Sequence, residues 1–177
     1  MASATTVPRG WNADNLGDLT GKLFLITGGT SGIGKVTARA LARAGARVTI
    51  TARNQIKGAN TVAELGSDLV DFKLLDLADL SSVRSFAKSV NTDFDVLILN
   101  AGVMGTPFSL TKDNFELQMG TNHLGHFALA GLLRSQIKER IVAVSSQAHR
   151  AARISNFTAD DLRDKALGIG AYNPWPA

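Results

Sequence analysis

The sequence predicts an α/β fold built on a parallel sheet, and three observations carry that prediction. Short β-branched or aliphatic runs recur along the chain, segments with helical apolar spacing lie between them, and a glycine-rich turn joins the first run to the first such segment. Strands that alternate with helices argue for βαβ units, and continuous apolar runs suit strands covered on both faces.

The strand-like runs are LFLIT (23–27), RVTIT (47–51), LVDFKLL (69–75), FDVLIL (94–99) and RIVAVS (140–145). After the first, Ile33, Val36, Ala40, Leu41 and Ala44 recur at helical spacing and form the expected buried side of a helix, with Lys35, Arg39 and Arg43 on other faces. A second helix carries Val83, Phe86, Ala87 and Val90, with Asp79, Ser81 and Ser82 as candidate caps. A third is expected from Thr111 to Leu133, with Phe115, Met119, Leu124, Phe127 and Leu129. The 177 residues suit a single domain, read as an extension over 1–18 and a domain over 19–177, without internal repeats or linkers.

Composition narrows the function. Hydrophobic residues at 45% and charged residues at 19% describe a folded globular chain. The absence of cysteine excludes disulfides, thiolate catalysis and cysteine-ligated zinc or iron–sulfur sites. The net charge is +4, but the basic residues are scattered singly and form no stripe for a phosphate backbone, so no nucleic-acid partner is expected. The longest apolar stretch, FALAGLL (127–133), falls well short of the ~18–20 residues needed to span a bilayer. The N-terminus has no signal-peptide pattern, and a cytoplasmic protein without a membrane span is expected.

Gly28, Gly29, Gly32 and Gly34 lie between the first strand and the first helix. Glycines there let the backbone turn tightly and approach a pyrophosphate, whose charge is favoured at a helix N-terminus. The spacing Gly28-x-x-x-Gly32-x-Gly34 departs from the general G-x-G-x-x-G pattern, and it is the βαβ context that argues for a dinucleotide loop over a simple turn. The second strand ends in TARN, where an acidic residue would grip a ribose 2′-hydroxyl. Arg53 stands there instead; a guanidinium pairs with a 2′-phosphate that a carboxylate would repel, so NADP(H) is the expected cofactor, with NAD(H) possible.

Thr27–Gly34 (TGGTSGIG), Asp76 in LLDLADL, Asn100–Gly102 (NAG), Asn122 in TNHLGHF and Ser145–Ser146 in RIVAVSS occur in one order and spacing. On these motifs the chain, from about Leu19 onward, resembles the short-chain dehydrogenase/reductase family. NAGVM, FELQMGTNHLGHF and VSSQAHR are similar to the branch that contains retinol dehydrogenases, WW-domain oxidoreductases and protochlorophyllide reductases. The resemblance implies a Rossmann-type doubly wound parallel sheet and hydride transfer between a nicotinamide and a small-molecule carbonyl or alcohol. It implies that Gly28, Thr30, Ser31, Gly32, Ile33 and Gly34 hold the pyrophosphate and that Asp76 and Leu77 border the adenine. Asn100, Ala101 and Gly102 would stabilise the central strand and line the cofactor. Ser146 would hydrogen-bond the substrate carbonyl oxygen, Asn122 would hold a water in the proton relay, and Ser145 would be structural.

The family's proton donor is a tyrosine in Y-x-x-x-K, whose lysine lowers a phenol pKa that is otherwise near ~10. The only tyrosine, Tyr172, has Pro176 in the lysine position, and YNPW is expected to stand just before the missing motif. The resemblance therefore leads us to expect a C-terminally truncated chain, a sheet incomplete on that side with the strand at 140–145 at its edge, and an exposed face on the helix at 111–133. An incomplete family dimer interface and impaired turnover are expected with it. The alternative is a non-catalytic dinucleotide-binding or partner-binding module. His123 and His126 form an H-x-x-H, but no cysteine or acidic residue completes a metal motif and no metal is assigned. Ser146 and His149 lack the G-x-S-x-G elbow and an orienting acid, which argues against a hydrolase.

Overall fold

The computed structural model describes residues 7–147. Tyr172, His149 and the YNPW segment lie outside the described residues. The elements run β1 (Leu23–Ile26), α1 (Gly32–Arg43), β2 (Arg47–Ala52), α2 (Gln55–Leu65), β3 (Val70–Leu74), α3 (Leu80–Ser89), β4 (Phe94–Leu99), α4 (Leu117–Met119), a π-helical stretch (Gly120–Gly125), α5 (His126–Leu132) and β5 (Ile137–Ala143). All strand pairs are parallel, in the order β3-β2-β1-β4-β5. This is the doubly wound α/β arrangement, with the order reversing between β1 and β4.

Alternation along the central strands divides the core into two layers. Phe24 and Ile26 of β1 pack with Ala38, Leu41, Val48, Ile50, Val70 and Val96 on the α1 side. Leu25 points the other way and joins Leu97, Leu99, Val83, Phe86, Leu129 and Leu133 on the α3 and α5 side. Leu25, Ile26, Ile50 and Leu97 are fully buried, as strands covered on both faces require. At the β5 edge of the described sheet Ile141, Val142 and Val144 are exposed, and Phe127 of α5 is 72% exposed. No helix among the described residues is long and apolar enough to cross a membrane.

The five expected strands appear in place, while the helices differ in three ways. In α1 the buried residues are Gly34, Ala38, Leu41 and Ala42; Ile33 and Val36, expected inside, are 70% and 61% exposed. The start of the helix must be small where it meets the loop, because a Cβ at position 34 would lie 2.4 Å from the Gly28 carbonyl oxygen. Hydrophobicity alone therefore misplaces the first turns of the helix, while Leu41 is buried as expected. The expected helix over 111–133 becomes helical only at Leu117: Asn114 takes φ 62°, Leu110 bridges Glu116, and the Glu116 carboxylate accepts hydrogen bonds from the Gln118 and Met119 N–H groups. That buried cap starts the helix a turn and a half later than the apolar pattern suggests. The third difference is α2, which sequence periodicity did not single out. Its apolar Ile56 faces solvent, and it seats Gly58 against Phe72, whose ring would lie 2.3 Å from an added Cβ.

Asp79 caps α3 by accepting from the Ser81 and Ser82 N–H groups, and its other oxygen pairs with Lys112 in the segment before α4. The Lys112 ammonium, then the Ser81 hydroxyl, hold the Asp79 carboxyl far below the usual carboxylate range. A depressed folded-state pKa means that the stabilisation is full above about pH 4 and is lost as pH falls toward the folded value. Asp79→Ala is therefore expected to lower the urea midpoint at pH 7, with the difference from the parent shrinking steadily below pH 4. Equal midpoint differences at pH 7 and pH 3 would show that the stabilisation does not come from the ionised carboxylate.

Candidate active site

A cleft of about 440 Å³ opens at the C-terminal ends of β1 and β4. It sits where the strand order reverses, the place where open α/β sheets bind ligands. A second hollow, at the opposite strand ends beside Leu23, Arg47 and Phe94, has neither a glycine loop nor a helix N-terminus in its lining.

The cleft is built by backbone close approach. Gly28 has φ +69° and lies against Ala101, whose Cα would be 2.7 Å from an added Cβ. A Cβ on Gly34 would meet both the Gly28 carbonyl oxygen at 2.4 Å and Asn100 Nδ2 at 2.5 Å. Asn100 Nδ2 donates to the Thr27 and Gly28 carbonyls at 3.0 and 3.3 Å, so the β4 end is stitched to the start of the loop. The Thr27 hydroxyl oxygen accepts from the Asn100 and Ala101 N–H groups at 2.9 and 3.0 Å.

Helix capping separates this cleft from the rest of the surface. Asn54 caps α2 through the Lys57 N–H and Asp79 caps α3, whereas Ser31, the residue before α1, makes no side-chain cap bond. The first-turn N–H groups of an α-helix have no partner within the helix. At α1 they open into the cleft beside Thr30, Ser31, Gly32 and Ile33 with the positive end of the helix dipole, an arrangement suited to a phosphate. Thr121 adds a second sign of fit: it lines the same cleft at 5% exposure, and its hydroxyl has no hydrogen-bond partner among the described residues. A buried orphan hydroxyl calls for a ligand or a water.

The structure brings Gly28, Thr30, Ser31, Gly32, Ile33, Gly34, Arg53, Leu77, Asn100, Ala101 and Gly102 into one lining. Asp76 stands between the lining residues Leu75 and Leu77, but its Oδ1 accepts from the Ala78 N–H at 2.9 Å. Asn122 is at the rim, with both ends of its amide on the Val103 backbone: Oδ1 accepts from Val103 N–H and Nδ2 donates to Val103 O, each at 2.8 Å. Ser146 is exposed, three residues past the end of β5. Parallel register sets Ala143 beside Leu99, so the chain after β5 leaves the sheet at the same end as Ala101 and Gly102. Sequence reasoning missed Thr51, Lys57, Val103 and Thr121, which also line the cleft. Lys57 was legible as the cation four residues after Arg53; the others contribute through strand ends or a π turn that no sequence period marks.

His123 and His126 do not converge. His123 is exposed and stacks on Phe127, while His126 is buried, with Nε2 2.8 Å from Thr27 Oγ1 and Nδ1 2.9 Å from the Asn122 carbonyl. Burial lowers the His126 pKa. Among the described residues no group of three or more His, Cys, Asp or Glu could hold a metal ion.

The family model for short chain dehydrogenases matches residues 22–158. The chain belongs to that family. Among this short-chain dehydrogenase's relatives, a Streptomyces antibioticus protein described as an oxidoreductase is 41% identical over a 169-residue alignment that covers 90% of this chain and 55% of that protein. Human retinol dehydrogenase 11 is 46% identical over a 147-residue alignment that covers 77% of this chain and 46% of the relative. The chain thus spans about half the length of the curated relatives it matches. A solved structure of an uncharacterized Mycobacterium paratuberculosis protein superposes with a TM-score of 0.80 at 48% identity, covering 87% of this chain and 56% of that one. More distant structures include a Pseudomonas aeruginosa NADP complex (28% identity, TM-score 0.59, covering 67% of this chain and 49% of that one). A Brucella melitensis 3-ketoacyl-(acyl-carrier-protein) reductase complexed with NADH has 26% identity and a TM-score of 0.56, covering 67% and 50%.

The short-chain dehydrogenase loop tolerates no Cβ at Gly34, whereas a Cβ at Gly131 in α5 would meet nothing within 4 Å. Gly34→Ala is expected to destabilise by about 1–3 kcal/mol through overpacking. Gly131→Ala is expected to stabilise by about 0.4–1 kcal/mol through the unfolded chain's entropy. Urea unfolding checks both, and the same sign for the two variants would contradict the packing described.

Proposed function

We propose that this chain is the nucleotide-binding part of an oxidoreductase that uses NADP(H) in preference to NAD(H) and acts on a small-molecule carbonyl or alcohol. The observation that carries the reading is the uncapped start of α1 inside a glycine cradle, with Arg53 and Lys57 lining the same cleft. The NADP bound by the Pseudomonas aeruginosa relative and the NADH bound by the Brucella melitensis one support a dinucleotide in this cleft.

In this reading the N–H groups from Gly32 to Gly34 bind the pyrophosphate, and Leu77 packs at the adenine end. Arg53, with Lys57 as a second cation, selects the 2′-phosphate. Asn100, Ala101 and Gly102 form the wall along the cofactor, and the Thr121 hydroxyl gains its missing partner. When bound, the nicotinamide supplies or receives the hydride. Ser146 orients the substrate through its carbonyl or hydroxyl oxygen. Asn122 orders a water through its main-chain carbonyl, because its side-chain amide is committed to Val103 and a carbonyl oxygen keeps a second lone pair beside the His126 bond. The 177 residues contain no Y-x-x-x-K, so none of them is given the proton-donating role and slow turnover is expected of the chain by itself.

Titration calorimetry tests the cofactor choice. NADPH is expected to bind more tightly than NADH. Arg53→Asp is expected to weaken NADPH by about 10–100-fold, the loss of one or two charge-assisted bonds, while NADH changes little. Tighter binding of NADH by the parent chain, or an Arg53→Asp variant with unchanged NADPH affinity, would overturn the assignment.

A further inference from the structure

We infer that His126 is a positioning residue held as the Nδ1–H tautomer, tying the floor of the nucleotide cleft to the π-helical turn that presents Asn122. The inference follows from counting donors and acceptors. A threonine hydroxyl has one proton to donate and two lone pairs. Both lone pairs of Thr27 Oγ1 are engaged, by the Asn100 N–H at 2.9 Å and the Ala101 N–H at 3.0 Å. Its proton must therefore go outward. The nearer acceptor is His126 Nε2 at 2.8 Å; the Ile98 carbonyl lies at 3.4 Å and already accepts the Thr27 N–H at 2.9 Å.

Nε2 is thereby an acceptor and carries no proton. The ring proton sits on Nδ1, and the atom facing it at 2.9 Å is the Asn122 carbonyl oxygen, which can only accept. The two ends of the ring demand the same tautomer independently. An imidazolium would aim an Nε2–H at a hydroxyl whose lone pairs are both taken. Burial disfavours that form further, as does His123, the ionisable group acting on the ring from the same π stretch. The ring's two hydrogen-bond partners, the Thr27 hydroxyl and the Asn122 carbonyl, are both uncharged.

The result is a one-way chain of donors: Asn100 and Ala101 N–H to Thr27, Thr27 O–H to His126, His126 N–H to Asn122. It joins the wall of the cleft, at Asn100 and Ala101, to a π-helical turn, an irregularity that needs outside support to persist. The Asn122 amide on the Val103 backbone closes the same loop from the other side. The tautomer stands independently of the proposed function; only its consequence for a bound nucleotide rests on that reading.

Histidine-selective 15N labelling of the chain tests it, using the long-range 1H–15N spectrum at pH 7 without nucleotide. His126 is expected to show a protonated Nδ1 and an unprotonated Nε2, with His123 and His149 as internal comparisons. A protonated Nε2, alone or with Nδ1, would overturn the inference. Thr27→Val removes the hydroxyl that donates to Nε2 and is expected to shift the His126 Nε2 and Asn122 side-chain amide signals, with Nδ1 still protonated against the Asn122 carbonyl, and Thr27→Ser to restore both. A folded Thr27→Val chain with both sets of signals unchanged would also overturn it, and if that variant does not fold the parent spectrum decides alone. NADPH titrated into the same sample separates the two readings: the predicted tautomer without binding removes the proposed cofactor, and binding with the wrong tautomer removes the role of His126.

Discussion

The cleft depends on the close seam between β1 and β4, where two chain segments leave the sheet at its C-terminal end and must diverge without exposing unpaired backbone. Thr27 sits at that point, 0% exposed, and satisfies the N–H groups of Asn100 and Ala101, the two residues just past β4. Asn100 returns the bond to the Thr27 and Gly28 carbonyls. Unpaired, each buried group would cost about 1–3 kcal/mol. Gly28 and Gly34 lie so close to Ala101 and Asn100 at this seam that neither has room for a Cβ, and the loop between them leaves the α1 N-terminus facing the cleft.

Capping then distributes function. Asn54 and Asp79 spend their side chains on their own helices, so the starts of α2 and α3 are closed to ligands. Ser31 does not, and α1 begins inside a cleft with an orphan Thr121 hydroxyl and two cations in its lining. Stability and binding draw on the same unsatisfied N–H groups, and here they are assigned to different helices. On the other wall, the Asn122 amide and the His126 ring fix the π-helical turn to Val103 and Thr27, so the two sides of the cleft share one hydrogen-bond network.

Much of this was legible in the sequence, because parallel strands buried on both faces write long apolar runs and the glycine turn falls at the first strand–helix junction. The family membership was legible for the same reason, since its motifs sit at strand ends. What was not legible follows from packing that hydrophobicity does not encode. Ile33 and Val36 look like core residues, yet the buried face of α1 begins with Gly34 and Ala38, and at position 34 a Cβ would strike the Gly28 carbonyl oxygen. Asn114 at positive φ and the buried Glu116 cap interrupt an apolar pattern that reads as one helix. His126 reads as half of an H-x-x-H; only the fold brings it to Thr27, 99 positions away.

A crystal structure of the chain grown with NADPH tests the central claim most directly. The account predicts the pyrophosphate on the backbone N–H groups between Gly32 and Gly34, with the 2′-phosphate at Arg53 and Lys57 and a nucleotide oxygen or ordered water on the Thr121 hydroxyl. Nucleotide bound at the opposite strand ends near Arg47, or a cleft between β1 and β4 that stays empty at saturating NADPH, would contradict it.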